Sequence, residues 1–290
     1  MTDTRTLRIL EPAPGVFAYY DGRVPGVRLH SPAENWLDDG AYGLGIASYA
    51  IVGDDEAIVF DSHISLDHAR AVRRHLEGLG VNRFTLVLSH WHDDHVAGNA
   101  IFADGPIVAQ RLTLEALVAN RDRLENGDPP IRPLVLPTET FDDELALTVG
   151  GRGVTTMHFA IHSADGVVLR LPDAGLLFAG DVVEDTVTYI SEAEHTAVHI
   201  AELDRLAGLA FRRILPAHGV PDRIAAGGYD AGLVAANRDY LMRLLAGEGR
   251  DGTPLSAFVA DDVAAGRIGY FEPYEAVHRA NIAALAAAGL

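Results

Sequence analysis

The chain is predicted to fold as an α/β protein whose sheets lie between layers of helices. Three observations carry that expectation. Short alternating or wholly apolar runs recur along the 290 residues. Several of them lead into segments with apolar residues at helical spacing. These units fall into two successive sets, and no Pro/Gly/Ser-rich linker separates the sets. Residues 1–290 therefore read as a single domain.

The elements follow in order. Residues 5–20 alternate apolar and polar (Leu7, Ile9, Val16, Ala18, Tyr20) around Pro12-Ala13-Pro14-Gly15, the pattern of a β-hairpin. Residues 21–46 form a Gly- and Asp-rich excursion that contains Trp36 and is too long for a tight turn. Strands at 47–53 and 56–60 are joined across Gly53-Asp54-Asp55. A helix over about 65–78 is stopped by Gly78 and Gly80. The strand Phe84–Leu88 runs directly into Ser89-His90-Trp91-His92-Asp93-Asp94-His95. A short strand at 107–109 precedes an amphipathic helix over 111–124 and an acidic, Pro-rich surface excursion over 125–143. Strands are expected near 145–149, 154–159, 166–171 and 176–179, a helix at 195–208, a strand at 213–215 and helices over about 230–290.

Composition excludes several chemistries. Apolar residues make up 48 % of the chain and aromatics only 7 %, so aliphatic side chains must fill the core. There are 23 basic and 41 acidic residues, a formal net charge of −18. Such a chain repels nucleic-acid phosphates and anionic lipid, so neither is an expected partner. Every basic residue is Arg; the absence of Lys removes Schiff-base and phosphate-loop lysines. The absence of Cys removes thiolate nucleophiles and thiolate metal ligands. With no apolar leader at Met1–Arg5 and no membrane-length apolar run, a cytoplasmic location is expected. The reading leaves room for a homodimer.

Thirteen His in a Cys-free acidic chain are the positive signal. His90-x-His92-x-Asp94-His95 follows a buried strand, the end of an α/β strand where active sites sit. All four side chains are nitrogen or oxygen donors suited to Zn²⁺, Fe²⁺ or Mn²⁺. His162 precedes the predicted strand at 166–171, Asp181 and His218 each end another, and the three complete a set of five His and two Asp.

On these residues, with Asp61, the chain resembles the metallo-β-lactamase superfamily from about Ser48 to Gly219. The resemblance implies a four-layer αβ/βα sandwich with a dinuclear metal site at the sheet edges. It implies that His90, His92 and His162 hold one metal, that Asp94, His95 and His218 hold the other, and that Asp181 bridges them. Two zinc ions per chain are expected, with iron or manganese as further candidates. Asp61 would orient the His loop or cap the helix at 65–78. Asp181 stands where several zinc β-lactamases resembling this chain carry Cys, and His92 stands where flavodiiron oxidoreductases carry an acid. Hydrolysis of a small molecule is therefore the expected activity.

Two such metals share a water and bring its pKa toward neutrality, and the resulting hydroxide attacks an ester, lactone, thioester or amide carbonyl. Asp94 is a candidate proton shuttle as well as a ligand. Tyr189, eight residues after Asp181, is a candidate for assisting the carbonyl oxygen, as a Tyr does at shorter spacing in lactone-cleaving relatives. Trp36 is expected to reach over the metals on a loop that glycines let move. His63 could approach the site, and the i, i+4 pair His195 and His199 could bind metal or decorate a helix; His30, His68, His75, His158 and His278 read as structural. Three other functions remain: a mononuclear-iron, persulfide dioxygenase-like oxidoreductase, a β-lactam hydrolase, and a binding protein with an inactive site.

Overall fold

The computed structural model describes residues 2–290. One seven-stranded sheet follows sequence order: β1 (Arg8–Ala13), β2 (Val16–Asp21), β3 (Ile46–Gly53), β4 (Glu56–Phe60), β5 (Arg83–Val87), β6 (Ile107–Gln110) and β7 (Glu139–Phe141). β1 to β4 pair antiparallel, and β4 to β7 run parallel. The second sheet contains β8 (Glu144–Val149), β9 (Arg152–His158), β10 (Val167–Leu171), β11 (Leu176–Gly180) and β12 (Arg213–Pro216) in the order β12-β11-β10-β9-β8. Only its β11–β12 pair is parallel.

Strand periodicity sorts the side chains into layers. Val16, Ala18 and Tyr20 of β2 and Ile58 and Phe60 of β4 face Val167, Leu169 and Phe178 of the second sheet, forming the core between the sheets. The alternate residues Tyr19, Ala57 and Val59 face outward against α1 (Leu66–Gly78), and the same outer core takes in Leu117 and Leu124. On the far side, Val168, Leu177 and Ala179 pack against the carboxy-terminal helices. The order of layers is thus helix, sheet, sheet, helix, the four-layer αβ/βα sandwich. The remaining helices are α2 (Asp93–Val96), α3 (Arg111–Ala119), α4 (Arg121–Asn126), α5 (Thr196–Ala207), α6 (Pro221–Ala225), α7 (Gly232–Leu245), α8 (Leu255–Phe258), α9 (Ala260–Ala264) and α10 (Tyr274–Ala287).

Several segments differ from their sequence expectation. The helix over 111–124 is two helices, broken at Asn120, whose side-chain amide donates to the Ala116 carbonyl at 2.9 Å and so competes with the helical ladder. The surface excursion over 125–143 carries the short edge strand β7. The excursion over 21–46 contains a π-helix, Trp36–Tyr42. Buried Asp38 pins it by accepting from the Leu29, His30 and Ser31 N–H groups at 2.5, 3.2 and 3.1 Å. The loop is therefore tied down where its glycines suggested movement. Among the described residues no helix is long and apolar enough to cross a membrane.

The sheets meet along one seam. The Ser89 carbonyl accepts from Val167 N–H at 2.8 Å, and the Ala217 carbonyl accepts from Ala47 N–H at 2.9 Å. The carboxy-terminal ends of β4, β5, β11 and β12 converge on this seam, so that the residues just beyond them are brought together.

Candidate metal centre

β4 ends just before Asp61, β5 leads into the His loop, β11 ends just before Asp181 and β12 two residues before His218. Gly180 makes their approach possible. Its φ is +51°, and a Cβ there would lie 2.6 Å from Ser89 Cβ. Only Gly allows β11 this close to the His loop. His92 precedes the one-turn helix α2, which turns Asp94 and His95 toward the same place. His162 sits in the loop between β9 and β10 with φ +66°, a strained backbone held by its surroundings.

Two groups of donor atoms result. His90 Nε2 and His162 Nε2 each lie 2.9 Å from His92 Nδ1. The second group is Asp94, His95, Asp181 and His218, whose ligand atoms lie within 4.8 Å of one another. His95 Nε2 is 3.6 Å from Asp94 Oδ1, and His218 Nε2 is 3.4 Å from Asp94 Oδ2. One atom joins the groups: Asp181 Oδ2 is 3.3 Å from His95 Nε2, 3.4 Å from His218 Nε2 and 3.7 Å from both His90 Nε2 and His162 Nε2. Ligands of a tetrahedral ion with bonds near 2.0–2.1 Å stand about 3.3 Å apart, so this spacing suits one cation in each group.

The surrounding contacts aim these rings. The Gly45 and Tyr189 carbonyls can only accept, so His218 Nδ1–H and His162 Nδ1–H donate to them, at 2.7 and 3.0 Å. Each Nε2 therefore presents a lone pair to the centre. Ser89 Oγ is 2.9 Å from His90 Nδ1. Asp61 Oδ2 accepts from His95 Nδ1–H at 2.8 Å, and its Oδ1 accepts from Ser89 N–H at 2.7 Å. Asp61 thus holds the His loop; the cap of α1 is Ser65. His95 Nε2 and Asp181 Oδ1 are buried with no hydrogen-bond partner. Such orphaned atoms are costly alone and are what a bound cation would satisfy.

Burial, with the neighbouring imidazoles, pushes His90 well below the ordinary histidine value and His92 down to about 3, and burial also lowers His162. Burial opposes charge on His95 and His218 too, but Asp181 and Asp94 outweigh it and hold both well above the ordinary value. The sign follows. At pH 7 the His90/His92/His162 group is already unprotonated, whereas a cation entering the second group displaces protons from His95 and His218. Calorimetric titration of the metal-free protein in buffers of different ionisation enthalpy should show one equivalent binding without proton release. The other should release one to two protons, and its affinity should rise with pH through neutrality.

The family model described as the metallo-β-lactamase superfamily matches residues 41–218. This chain belongs to that superfamily. It is similar to the linear primary-alkylsulfatase of a Pseudomonas species, 24 % identical over 208 residues that are 57 % of this chain and 39 % of the relative. A β-lactamase-like protein 2 homolog of Drosophila melanogaster is 28 % identical over 138 residues, 47 % of this chain and 44 % of the relative. The chain thus spans less than half the length of these curated relatives. Among solved structures, a metallo-β-lactamase from Pontibacter korlensis aligns with TM-score 0.62 at 18 % identity, over 81 % of this chain and 99 % of that one. The metallo-β-lactamase DIM-1 aligns with TM-score 0.61 at 19 % identity, over 83 % and 98 % of the two chains. At these identities the likeness is one of fold.

As a superfamily member the chain opens its donor groups to solvent through a cleft of about 960 Å³. Its floor holds His92, Asp94, His162, Asp181 and His218, with Glu184 beside them. Its walls include Trp36, Trp91, Tyr189 and one face of α10. Tyr189 is 41 % exposed, and its ring centroid lies 6.1 Å from that of His162. Trp36 lines the cleft, and its indole N–H donates to the Pro129 carbonyl at 2.9 Å, which anchors the ring in the cleft wall. Trp36→Ala is expected to raise KM roughly 10-fold through lost apolar contact while two metals stay bound. Steady-state kinetics with elemental analysis on one preparation checks this.

Three histidines that the sequence offered as candidates lie away from the site's donors. His63 faces the Tyr19 carbonyl at 3.1 Å and stacks on His68. His195 pairs with Glu192 at 3.0 Å on the surface, and His199 is buried in α5 outside the donor groups. Sequence reasoning missed Glu184, which forms a further donor group with His162 and Asp181. Its one signal was an acidic residue three positions after Asp181. It also missed α10 as a cleft wall, for which no local pattern exists.

Proposed function

We propose that this protein is a dinuclear zinc-dependent hydrolase of small-molecule esters, lactones, thioesters or amides. The observation that carries the reading is the place of Asp181 Oδ2, within 3.7 Å of four imidazole nitrogens from both groups. A single oxygen so shared suits two cations better than one. His90, His92 and His162 would hold one, Asp94, His95 and His218 the other, and Asp181 would stand between them.

When bound, two divalent cations supply an acidified water and polarise the acyl oxygen of the substrate. The chain supplies the rest. Asp94 lies in the cleft floor with 16 % of its side chain exposed, beside His95 and His218. Its carboxylate accepts the proton that the attacking water loses and returns it to the departing oxygen, sulfur or nitrogen. Water is thereby added across the acyl bond, giving a carboxylic acid and an alcohol, thiol or amine. The exposed Tyr189 hydroxyl donates to the substrate at the cleft rim. Trp36 and Trp91 shield that side from water. The negative chain and the absence of Lys disfavour a nucleic-acid partner.

A panel of lactones, thioesters, carboxylic esters, β-lactams, phosphodiesters and, given the alkylsulfatase relative, sulfate esters tests the reading on zinc-loaded protein. Turnover of an acyl substrate is expected. One iron per chain, with no hydrolysis of any class but consumption of oxygen with a persulfide, would replace it by the oxidoreductase reading.

A further inference from the structure

The segment Val187–Ile190 has no regular secondary structure, yet three of its backbone N–H groups are paired. Three successive N–H groups each meet a buried side chain. Thr188 N–H donates to Asn237 Oδ1 at 2.7 Å, Tyr189 N–H to Glu184 Oε1 at 2.9 Å and Ile190 N–H to Asn281 Oδ1 at 2.8 Å. Asn281 Nδ2 donates back to the Thr188 carbonyl at 3.0 Å, so this one amide grips the chain on both sides of Tyr189. Glu184 is itself fixed: Oε2 accepts from the Tyr274 hydroxyl at 2.9 Å, and its backbone carbonyl accepts from Asn237 Nδ2 at 3.0 Å. The Tyr189 carbonyl is left facing the site, where it receives His162 Nδ1–H.

Asn237 lies on α7 and Asn281 on α10, both fully buried and both beyond residues 41–218, the span matched by the superfamily model. A buried Asn satisfies its amide only in one geometry, so these contacts set a position as well as filling space.

We propose that Asn281, with Asn237 and Glu184, is a positioning residue for the metal centre: the carboxy-terminal helices fix the Tyr189 carbonyl, and that carbonyl fixes the ring and tautomer of His162. The proposal rests on the reading of His90, His92 and His162 as a metal-holding group. No chemistry is assigned to Asn281 itself. It acts through a peptide and a ring, as do the outer hydrogen-bond partners of metal-bound His whose loss costs roughly 10- to 100-fold in metal affinity.

The test uses full-length protein, stripped of metal and titrated with Co²⁺ against a chelating indicator, with the Co²⁺ absorption spectrum recorded. Asn281→Ala is compared with Leu285→Ala, which removes a buried apolar side chain of the same helix. Asn281→Ala is expected to weaken one of the two Co²⁺ equivalents by roughly 10- to 100-fold and to alter the spectrum. Leu285→Ala is expected to lower Tm but leave both affinities and the spectrum unchanged. Should Asn281→Ala fail to fold, Asn237→Ala, which frees the Thr188 N–H, is expected to weaken the same equivalent. Equal effects of the Asn and Leu variants, or none from the Asn variants, would overturn the positioning role alone. A wild-type protein that takes up no Co²⁺ would overturn the metal reading, and this proposal with it.

Discussion

Asp181→Ala will lower kcat/KM by well over 100-fold and will release at least one of the two metals. Asp181 Oδ2 lies within 3.7 Å of the Nε2 atoms of two imidazoles from each donor group. Removing it would take away the shared anion proposed to offset the charge of two adjacent cations. It also leaves His95 and His218 with one fewer carboxylate to balance them, Asp94 being beside both and Asp61 behind His95. Asp61→Ala acts differently. Asp61 touches His95 Nδ1 and Ser89 N–H from behind and orients the loop without reaching the centre. Its loss is expected to cost roughly 10- to 100-fold. Both variants should be assayed at saturating zinc with metal content measured alongside. A larger loss in Asp61→Ala than in Asp181→Ala would contradict the roles given to these two carboxylates.

Chelation will destabilise the protein as well as silence it. Five imidazoles, four of them buried, and two carboxylates crowd the seam between the sheets, and two of their polar atoms have no hydrogen-bond partner. A cation held at 1,000 times its Kd adds about 4 kcal/mol to the folded state. Stripping one such ion should lower Tm by on the order of 8 °C for a chain of this length. The loss should reverse on adding zinc. Differential scanning calorimetry before and after chelation measures it, and an unchanged Tm would contradict a tightly held metal at the seam.

What could be read in the sequence was local. His90, His92, Asp94 and His95 announce themselves because a strand end followed by one helical turn brings residues at that spacing together. Asp61, Asp181 and His218 were legible as polar residues closing apolar runs, and the seam between the sheets is where those runs end. Alternation in Val16–Tyr20 and the apolar runs at 56–60 and 176–179 sufficed to place strands. The illegible features depend on distant partners. Nothing near Asn120 marks it as a break in an otherwise amphipathic stretch until its amide is seen on the Ala116 carbonyl. The π-helix at Trp36–Tyr42 is held by Asp38 contacts to residues seven to nine positions earlier. Glu184, Asn237 and Asn281 read as ordinary polar residues. Only folding brings them to the peptide that holds His162.

The central claim is that two metal ions held at this seam are what make the protein an enzyme. The most direct measurement is elemental analysis of protein purified without chelator, with hydrolysis of an acyl substrate assayed on the same sample before stripping, after stripping and after reloading. Close to two equivalents of zinc per chain, activity lost on stripping and regained with zinc, is the predicted result. A metal-free protein that retains full activity would contradict it.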